Sequence, residues 1–531
     1  VYLLKNARIY LKNNIIGIIL LFLATVFVGI LSVKNISLIE SILDKGIIAA
    51  NSSELNRNMI LFLIVSILLF LINIILSVLK TITYWKGCTN FIDHTISKVF
   101  SADYVQMFLK KDSSKLWTDI NNSTSYICMY YDALINMIYR VIKLLIYLAV
   151  LVSIDLYASI IVLIVFILNM IIVNKIKKKI QYYQQQFLLS SQNLGSSIVE
   201  YIKLIRNIKS KNKEEYFISK IDENQHKLNH NVIKDNFIQN ISSNLINFIA
   251  NIAPILAVTA IFGFSKHSFT SVGNILSVYL YIPIILGELQ YIHSLILRMI
   301  SSKPYKKSLS DLYEIESEKL GSVSITDFKK LKIKDLKVTL DDNTSIKFED
   351  FIVNKGDKIL ISGASGCGKS TFFNILSGFI KNYEGTIEIN DIDYQMLDLT
   401  DLRKIIGITF QDNRVFNIPF EEAIKLSTDS PIDDVVKIGE IQDIYEHNKS
   451  DFLSNDKLSG GEKSRINLAQ SLIREPKILL IDESLSALDE EMEIRILNNI
   501  ISRFKDITII LISHRKASEG FFDKEISFTI Q

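Results

Sequence analysis

The run Gly363, Ala364, Ser365, Gly366, Cys367, Gly368, Lys369 and Ser370 places three glycines ahead of a lysine and a hydroxyl residue. Glycines there let successive backbone N–H groups turn inward around phosphate oxygens, where a Cβ would block the approach. Lys369 is then spaced to put its ammonium on the β- and γ-phosphates. Ser370 is spaced to ligate Mg²⁺, and the helix that follows, with Thr371 in its first turn, offers anions its positive end. The implied chemistry is binding of a nucleoside triphosphate together with Mg²⁺.

A second set of residues could act on that ligand. Lys477 to Ile481 is an apolar run that ends in Asp482 and Glu483, a pattern expected of a buried parallel strand opening onto a ligand crevice. There Asp482 would hold Mg²⁺ and its hydration shell, and Glu483 would polarise an attacking water. His514, after the apolar run 507–513, and Gln411, after 405–410, are each anonymous alone. In the company of the glycine loop they become a γ-phosphate contact and a Mg²⁺ and water contact. Cys367 is read as a small residue that fits the loop, in preference to a redox sensor.

The elements that must carry these residues follow from composition. The chain has 531 residues, too many for one ordinary domain, and 49% are hydrophobic; mean hydropathy is +0.27, high for a soluble protein. A formal net charge of +3 gives no argument for a nucleic-acid partner. Cys88, Cys128 and Cys367 lack metal-ligand or disulfide spacing, so a reducing compartment is expected for the soluble parts. The Ile, Asn and Lys bias is compositional evidence for an AT-rich bacterial genome.

Six apolar runs, 15–33, 59–79, 137–154, 157–173, 245–264 and 272–297, are long enough to span a bilayer. Connections 80–136 and 174–244 are long and polar, with apolar residues such as Ile198, Ile202 and Ile205 at helical spacing. They read as helices continuing past the bilayer rather than as loops. Lys175, Lys177, Lys178 and Lys179 open the second of them, whereas 265–271 holds only Lys266, so the long gaps and both termini face the cytoplasm. The first 14 residues, with Lys5, Arg8 and Lys12 among apolar neighbours, read as an interfacial amphipathic segment.

After Arg298 the character changes: Ser301 to Leu320 is polar and reads as helical, and from Ile325 onward short β-rich runs alternate with helices. The expected organisation is a transmembrane domain over 1–310, a linker over 311–324 and a nucleotide-binding domain over 325–531. In fold class this is a multidomain membrane protein: an all-α six-helix domain with long cytoplasmic extensions, plus an α/β P-loop domain with a helical subdomain. Residues 333–340 and 345–353 read as paired strands, and 358–362 as the strand feeding the glycine loop.

Leu458, Ser459, Gly460, Gly461 and Glu462 form an L-S-G-G-E run downstream of Gln411 and upstream of Asp482, and Ser486, Ala487, Leu488 and Asp489 follow Glu483. With Gly363–Ser370 and His514, this ordered set resembles the ATPase of ATP-binding-cassette transporters. The six runs ahead of it resemble the exporter class, as a half-transporter of the bacterial plasma membrane. The resemblance implies a head-to-tail dimer, most simply of two identical chains. The phosphate loop of one chain and Ser459, Gly460, Gly461, Glu462 and Asp489 of the other would clasp one ATP. It implies ATP-driven export of a peptide, lipid or drug-like substrate by alternating access. Coupling is expected through Lys111–Asp119 and Leu194–Ile208, around Gln411 and Phe416. The alternatives are a nucleotide-gated regulator or channel, and one half of a heterodimer.

Three departures from the family pattern stand out. Glu462 replaces the usual Gln. Leu340 stands where an aromatic normally stacks on adenine, with Val338 two residues before it. Residues 447–457 lack the customary glycine- and glutamate-bearing loop. Cargo contacts are sought among polar groups in the apolar runs. Asn73, Asn169, Asn247 and Asn251 are expected to satisfy one another, and Arg140 and Lys143 to snorkel. Glu288, near His293 and Arg298, is the candidate for facing the cavity and meeting a cationic or hydrogen-bonding cargo, with a solvated cytoplasmic extension as the alternative. Pro254 and Pro283 are candidate kinks. Besides the second chain, membrane lipid is the expected partner.

Overall fold

A computed structural model of the chain describes residues 2–12, 14–109, 113–264, 271–318, 321–341, 344–448, 452–513, 515 and 520–528. The chain divides into two units, Val1–Ala102 with Gln106–Ser317, and Asp103–Val105 with Glu318–Gln531.

The first unit is helical: α1 (Tyr2–Leu11), α2 (Ile15–Ser41), α3 (Ser52–Phe100), α4 (Ser113–Ile154), α5 (Leu156–Lys203), α6 (Ile205–Ser210), α7 (Glu214–Phe264), α8 (Val272–Ser301) and α9 (Lys303–Tyr313). Six helical stretches among the described residues are long and apolar enough to cross a membrane. The polar connections 80–136 and 174–244 are largely helical, as their periodicity requires. The tight turn between α4 and α5 works because Asp155 caps α5, its carboxylate accepting from Ala158 N at 2.8 Å.

The bundle core is mostly large aliphatic side chains, with small residues where α5 and α7 enter it. Ala158 of α5 and Ala253 and Ala257 of α7 are fully buried beside Leu151, Ile282 and Ile285. Small side chains let membrane helices approach closely where lipid gives no hydrophobic drive. Two expectations change. The first span continues through a π-helical turn to Ile48 rather than ending at 33, because Ile36 and Leu38 stay on its buried face. The amphipathic α1 docks on the bundle, with Tyr10 buried beside Cys88, Phe91 and Tyr131.

The second unit holds two sheets. The antiparallel one has strand order β2, β1, β5, β6, with β3 also on β1. Its strands are β1 (Lys330–Asp341), β2 (Thr344–Lys347), β3 (Phe351–Asn354), β5 (Glu384–Ile389) and β6 (Ile392–Asp393). The expected second strand of 345–353 is thus two strands. They pair with different halves of β1, whose register shifts between Lys334 and Lys337 around Asp335, at a φ of 49°.

The parallel sheet, of order β10, β4, β9, β8, β7, carries the chemistry. It comprises β4 (Lys358–Gly363), β7 (Ile406–Thr409), β8 (Ile478–Asp482), β9 (Thr508–Ile512) and β10 (Lys524–Phe528). Every residue of β8 and β9 is buried, which is why both read as unbroken apolar runs. Helices α10 (Lys369–Leu376) and α11 (Leu399–Ile405) precede a helical subdomain of α12 (Phe420–Lys425), α13 (Asp433–Ile438), α14 (Gln442–Asn448) and α15 (Gly460–Leu472). The last helix is α16 (Glu490–Arg503). Phe420, Ile424, Val436, Ile466 and Leu472 form the subdomain's core. Tyr104, from the Asp103–Val105 segment of this unit, lies 4.9 Å from the Phe379 ring.

Candidate nucleotide site

The glycine loop leaves β4 and enters α10 through backbone conformations that only glycine takes freely. Gly363 has a φ of 143° and Gly368 a φ of 99°, and a Cβ on Gly368 would fall 2.8 Å from Ile346 Cγ2. Ala364, Ser365 and Gly366 are exposed. Cys367 is buried in the hydrophobic core, so it serves packing. The Lys369 ammonium curls over the loop and donates to Gly363 O at 2.8 Å and Ala364 O at 3.0 Å. Ser370 and Thr371 follow on the first turn of α10.

Asp482 ends β8, with the Ser370 hydroxyl beside its carboxylate. Burial pushes its carboxyl above the usual range, against the neighbouring Ser370 hydroxyl, while the adjacent Glu483 charge pushes the same way as burial and Lys369 opposes. Glu483 occupies the left-handed region at a φ of 48°, which turns its side chain off the strand line. The Gln411 Nε2 donates to Glu483 Oε2 at 2.9 Å. The site thus offers carboxylate, hydroxyl and amide oxygens at Asp482, Ser370 and Gln411, a hard donor set suited to Mg²⁺.

Residues beneath these groups were not found from the sequence. Thr409 Oγ1 and Ser484 Oγ lie 2.7 Å apart, and Asn413 Nδ2 donates to Ser484 O at 3.1 Å. Ser464 Oγ of α15 donates to the same carbonyl. Ser484 therefore ties the Gln411 loop, the carboxylate turn and α15 together. Arg515 binds Leu488 O at 2.7 Å, Glu493 Oε2 at 3.1 Å and Ser486 O, anchoring 486–488. Its only sequence signal was adjacency to His514.

The L-S-G-G-E run starts α15. Ser459 Oγ accepts from Glu462 N at 3.2 Å, and Glu462 Oε2 accepts from Ser459 N at 2.7 Å, a reciprocal capping box. Those bonds to Ser459 hold the Glu462 carboxyl below its usual range. Ser459 and Gly460 are exposed. Among the described residues, no hydrogen bond joins 459–462 to 363–371. Asp489 caps α16, accepting from Met492 N at 2.8 Å. The segment that departs from the family pattern docks locally, as Asn455 accepts from Val415 N at 3.0 Å and donates to Val415 O at 2.8 Å.

His514 lies outside the described residues, as does Lys111 of the expected coupling stretch. The Leu340 backbone sits in β1 where pairing with β2 shifts register between Thr339 and Asp341; its side chain is outside the described residues. Val338 is fully buried, so it presents no surface to a base.

The membrane-domain expectations need correction. Glu288 is not free for a cationic cargo, since it is buried and ion-paired to Arg140 and Lys143, which do not snorkel. The four asparagines do not satisfy one another. Asn73 donates to Leu69 O of its own helix, Asn247 and Asn251 are exposed, and Asn169 Oδ1 accepts from His293 Nδ1, 2.7 Å away. His293 also meets Ser242 at 3.0 Å. Pro254 and Pro283 lie inside α7 and α8.

Comparison with known proteins accords with this architecture. The family model of the ABC transporter transmembrane region matches residues 18–289, and that described as ABC transporter matches 347–486. A putative export ATP-binding/permease protein of Rickettsia typhi is 36% identical over 176 residues, 31% of this chain and 30% of its own length. The heterocyst differentiation ATP-binding protein HepA of a Nostoc species is 23% identical over 82% of this chain and 74% of its own. A bacterial Atm1-family ABC exporter solved with ATP bound has the same fold. It superposes at a TM-score of 0.85, with 18% identity, over 98% of this chain and 94% of its own. A matched transmembrane region covering half the chain, with the second ABC transporter match following it, makes the chain a multi-pass membrane member of the ABC transporter family.

Proposed function

We propose that the chain is one half of an ATP-driven exporter, working as a dimer of identical chains with two shared nucleotide sites. The observation that carries this reading is the arrangement at the end of β8. The Asp482 carboxylate lies beside Ser370 of the glycine loop, and Glu483 is held by Gln411 at 2.9 Å. In hydrolysis, Glu483 accepts the proton of the attacking water while the Gln411 amide fixes the carboxylate that receives it. Lys369 and the N-terminus of α10 neutralise charge on the phosphates, and the P–O bond to ADP breaks. Mg²⁺, held through Ser370, Asp482 and Gln411, would offset phosphate charge.

The exposed Ser459 and Gly460 at the start of α15 supply the second half of the site to the other chain. Closure of two such cassettes on ATP drives the helices between inward-open and outward-open forms. His514 and Leu340 keep the γ-phosphate and adenine positions assigned to them from sequence. The test is ATP turnover by the purified full chain in liposomes. Mg²⁺-dependent turnover lost in Lys369→Ala is expected, whereas nucleotide binding without turnover would replace the pump with a nucleotide-gated regulator.

A further inference from the structure

A carboxylate taken out of water without a cation is costly, and one such group lies in the helical extensions of the first unit. Asp235 of α7 is 4% exposed. It precedes the apolar run 245–264, and Gln184 of α5 follows 157–173, so both belong to the cytoplasmic connection 174–244. The Gln184 Nε2 donates to Asp235 Oδ2 at 2.6 Å, and the Gln239 Nε2 donates to the same oxygen at 2.7 Å. The other oxygen, Oδ1, is buried and meets no hydrogen-bond partner among the described residues.

Helices α4, α5, α7 and α9 meet here. Tyr305 of α9 is fully buried; its hydroxyl donates to Gln184 Oε1 at 3.4 Å, and its ring stacks on Tyr126 of α4 at 3.8 Å. Ile180 and Leu188, one turn before and after Gln184, are buried as well. The titratable groups facing Asp235 are these two phenols, a type of group that is neutral at physiological pH. Cations on the surrounding helices turn elsewhere. Lys179 of α5, Lys234 of α7, Arg298 of α8 and Lys303 of α9 are exposed, and the Lys306 ammonium lies 3.0 Å over the Tyr130 ring. Among the described residues none forms an ion pair with Asp235.

An ionised carboxylate offers about four acceptor positions. Two amide donors on one oxygen leave the rest unfilled and bring no charge. A proton on Oδ1 removes the charge and leaves Oδ2 as a carbonyl oxygen, which takes both amides unchanged. Burial accordingly raises the Asp235 carboxyl above the usual range, against the pull of Gln184 and Gln239. The proton's contribution to packing is therefore complete below the ordinary aspartate range and is lost as pH rises through the raised value.

We propose that Asp235 is a proton-binding site through which cytoplasmic pH controls the exporter's turnover. The inference rests on the exporter reading and adds its regulation. With the proton bound, α5 and α7 close on α9, the helix that the chain follows into the ATPase unit. Loss of the proton leaves an unpaired buried charge, which the helices relieve by parting to admit water. Turnover then falls, because the extensions of the membrane spans no longer move as one body with α9.

The test is infrared difference spectroscopy of the full chain in phosphatidylcholine nanodiscs without nucleotide, with Asp235→Asn as the reference. At neutral pH the unmodified chain should show a protonated-carboxyl C=O band that the variant lacks. The band should shift in D₂O and titrate well above about 3.9. Gln184→Leu should move that midpoint upward, since it removes a bond that favours the ionised form. In liposomes, ATP turnover should fall several-fold as the pH on the ATPase side is raised through the midpoint. Asp235→Asn, fixed in the neutral form, should keep the acid-side rate across the same range. A merely structural role predicts slower turnover in Asp235→Asn at every pH, and that result overturns the proposal. So does absence of the band at neutral pH. Its loss at constant pH on adding Na⁺ or K⁺ also overturns it, by making the occupant a metal cation. Because the spectroscopy needs no ATP, the band in a chain that does not hydrolyse ATP would sink the pump and its regulation and leave the proton site standing. Turnover without the band would keep the pump and remove the site.

Discussion

Gln411 donates to Glu483 across 2.9 Å, joining the loop after β7 to the turn after β8. Glu483 holds a left-handed backbone, at a φ of 48°, a conformation that costs a non-glycine residue of order 1–3 kcal/mol. The surrounding hydrogen bonds through Ser484 oppose its relaxation. If the carboxylate is the base, Glu483→Gln should lower ATP turnover by about 10²- to 10⁴-fold while leaving ATP affinity intact. Gln411→Ala should lower turnover less, because the base remains but is no longer oriented. Unchanged turnover in Glu483→Gln would remove the residue from the mechanism.

Burial raises the carboxyl pKa of Asp482, so the folded chain holds that proton more tightly than the unfolded chain does. The sign follows: this group's effect on stability becomes less favourable as pH rises through the ordinary aspartate range and on to the raised value. Asp482→Asn should therefore make the nucleotide-free ATPase unit more resistant to proteolysis at neutral pH. It should also abolish Mg²⁺-dependent ATP binding. In the unmodified chain, Mg²⁺-ATP affinity should begin to fall above the usual aspartate range as the solution is acidified. An affinity flat down to about pH 4 would contradict the raised value.

Glu493 of α16 is 3% exposed and pairs with Arg515, which also binds the carbonyls of Ser486 and Leu488. Burial raises the Glu493 carboxyl, and the arginine opposes it. Arg515→Ala leaves a buried carboxylate unpaired, at a cost of about 3–5 kcal/mol. Hydrogen exchange in the full chain should show α16 and 486–488 opening more often. Adding Glu493→Gln should restore α16 without restoring 486–488, since the amide needs no cation but the two carbonyls still lack their donor.

The Glu462 carboxylate, where the family has Gln, accepts from Ser459 N at 2.7 Å. An amide oxygen accepts the same bond, so Glu462→Gln should leave protection of α15 in hydrogen exchange almost unchanged. Glu462→Ala should lose the reciprocal cap and loosen the first turn by about 0.5–2 kcal/mol. If Glu462→Gln loosened the turn as much as Glu462→Ala, the cap would depend on charge rather than on the hydrogen bond.

Much of the fold was legible because hydrophobicity marks it directly. The six spans are runs of apolar residues, and β8 and β9 are continuous apolar strands because both faces are covered. Motif spacing likewise gave Gly363–Ser370, Asp482 and Ser459. The tertiary partners were not legible. Nothing around Glu288 reveals that Arg140 and Lys143, on another helix, would occupy it. Ser484, Asn413 and Asn455 act through backbone carbonyls and amides, for which side-chain type carries no distinguishing signal. The split of 345–353 into β2 and β3 follows from the register shift near Asp335, a backbone event that alternation does not encode.

The composite site can be tested by complementation. A Cβ on Gly460 would meet only Ala487 Cβ, at 3.6 Å, so its own chain has room for a side chain there. Gly460→Asp also suits the start of α15, where a carboxylate favours the helix dipole. The same charge would repel an incoming γ-phosphate from another chain. Lys369→Ala disables the other half. A dimer of either variant alone has one damaged half in each of its two sites. A mixed dimer of the two has one site with both halves damaged and one with both intact. Co-expressed with distinct tags, the variants should together show turnover near a quarter of the unmodified level, because random pairing makes half the dimers mixed. Each variant alone should be inactive. If 459–461 instead served the glycine loop of its own chain, the mixture would be as inactive as its components.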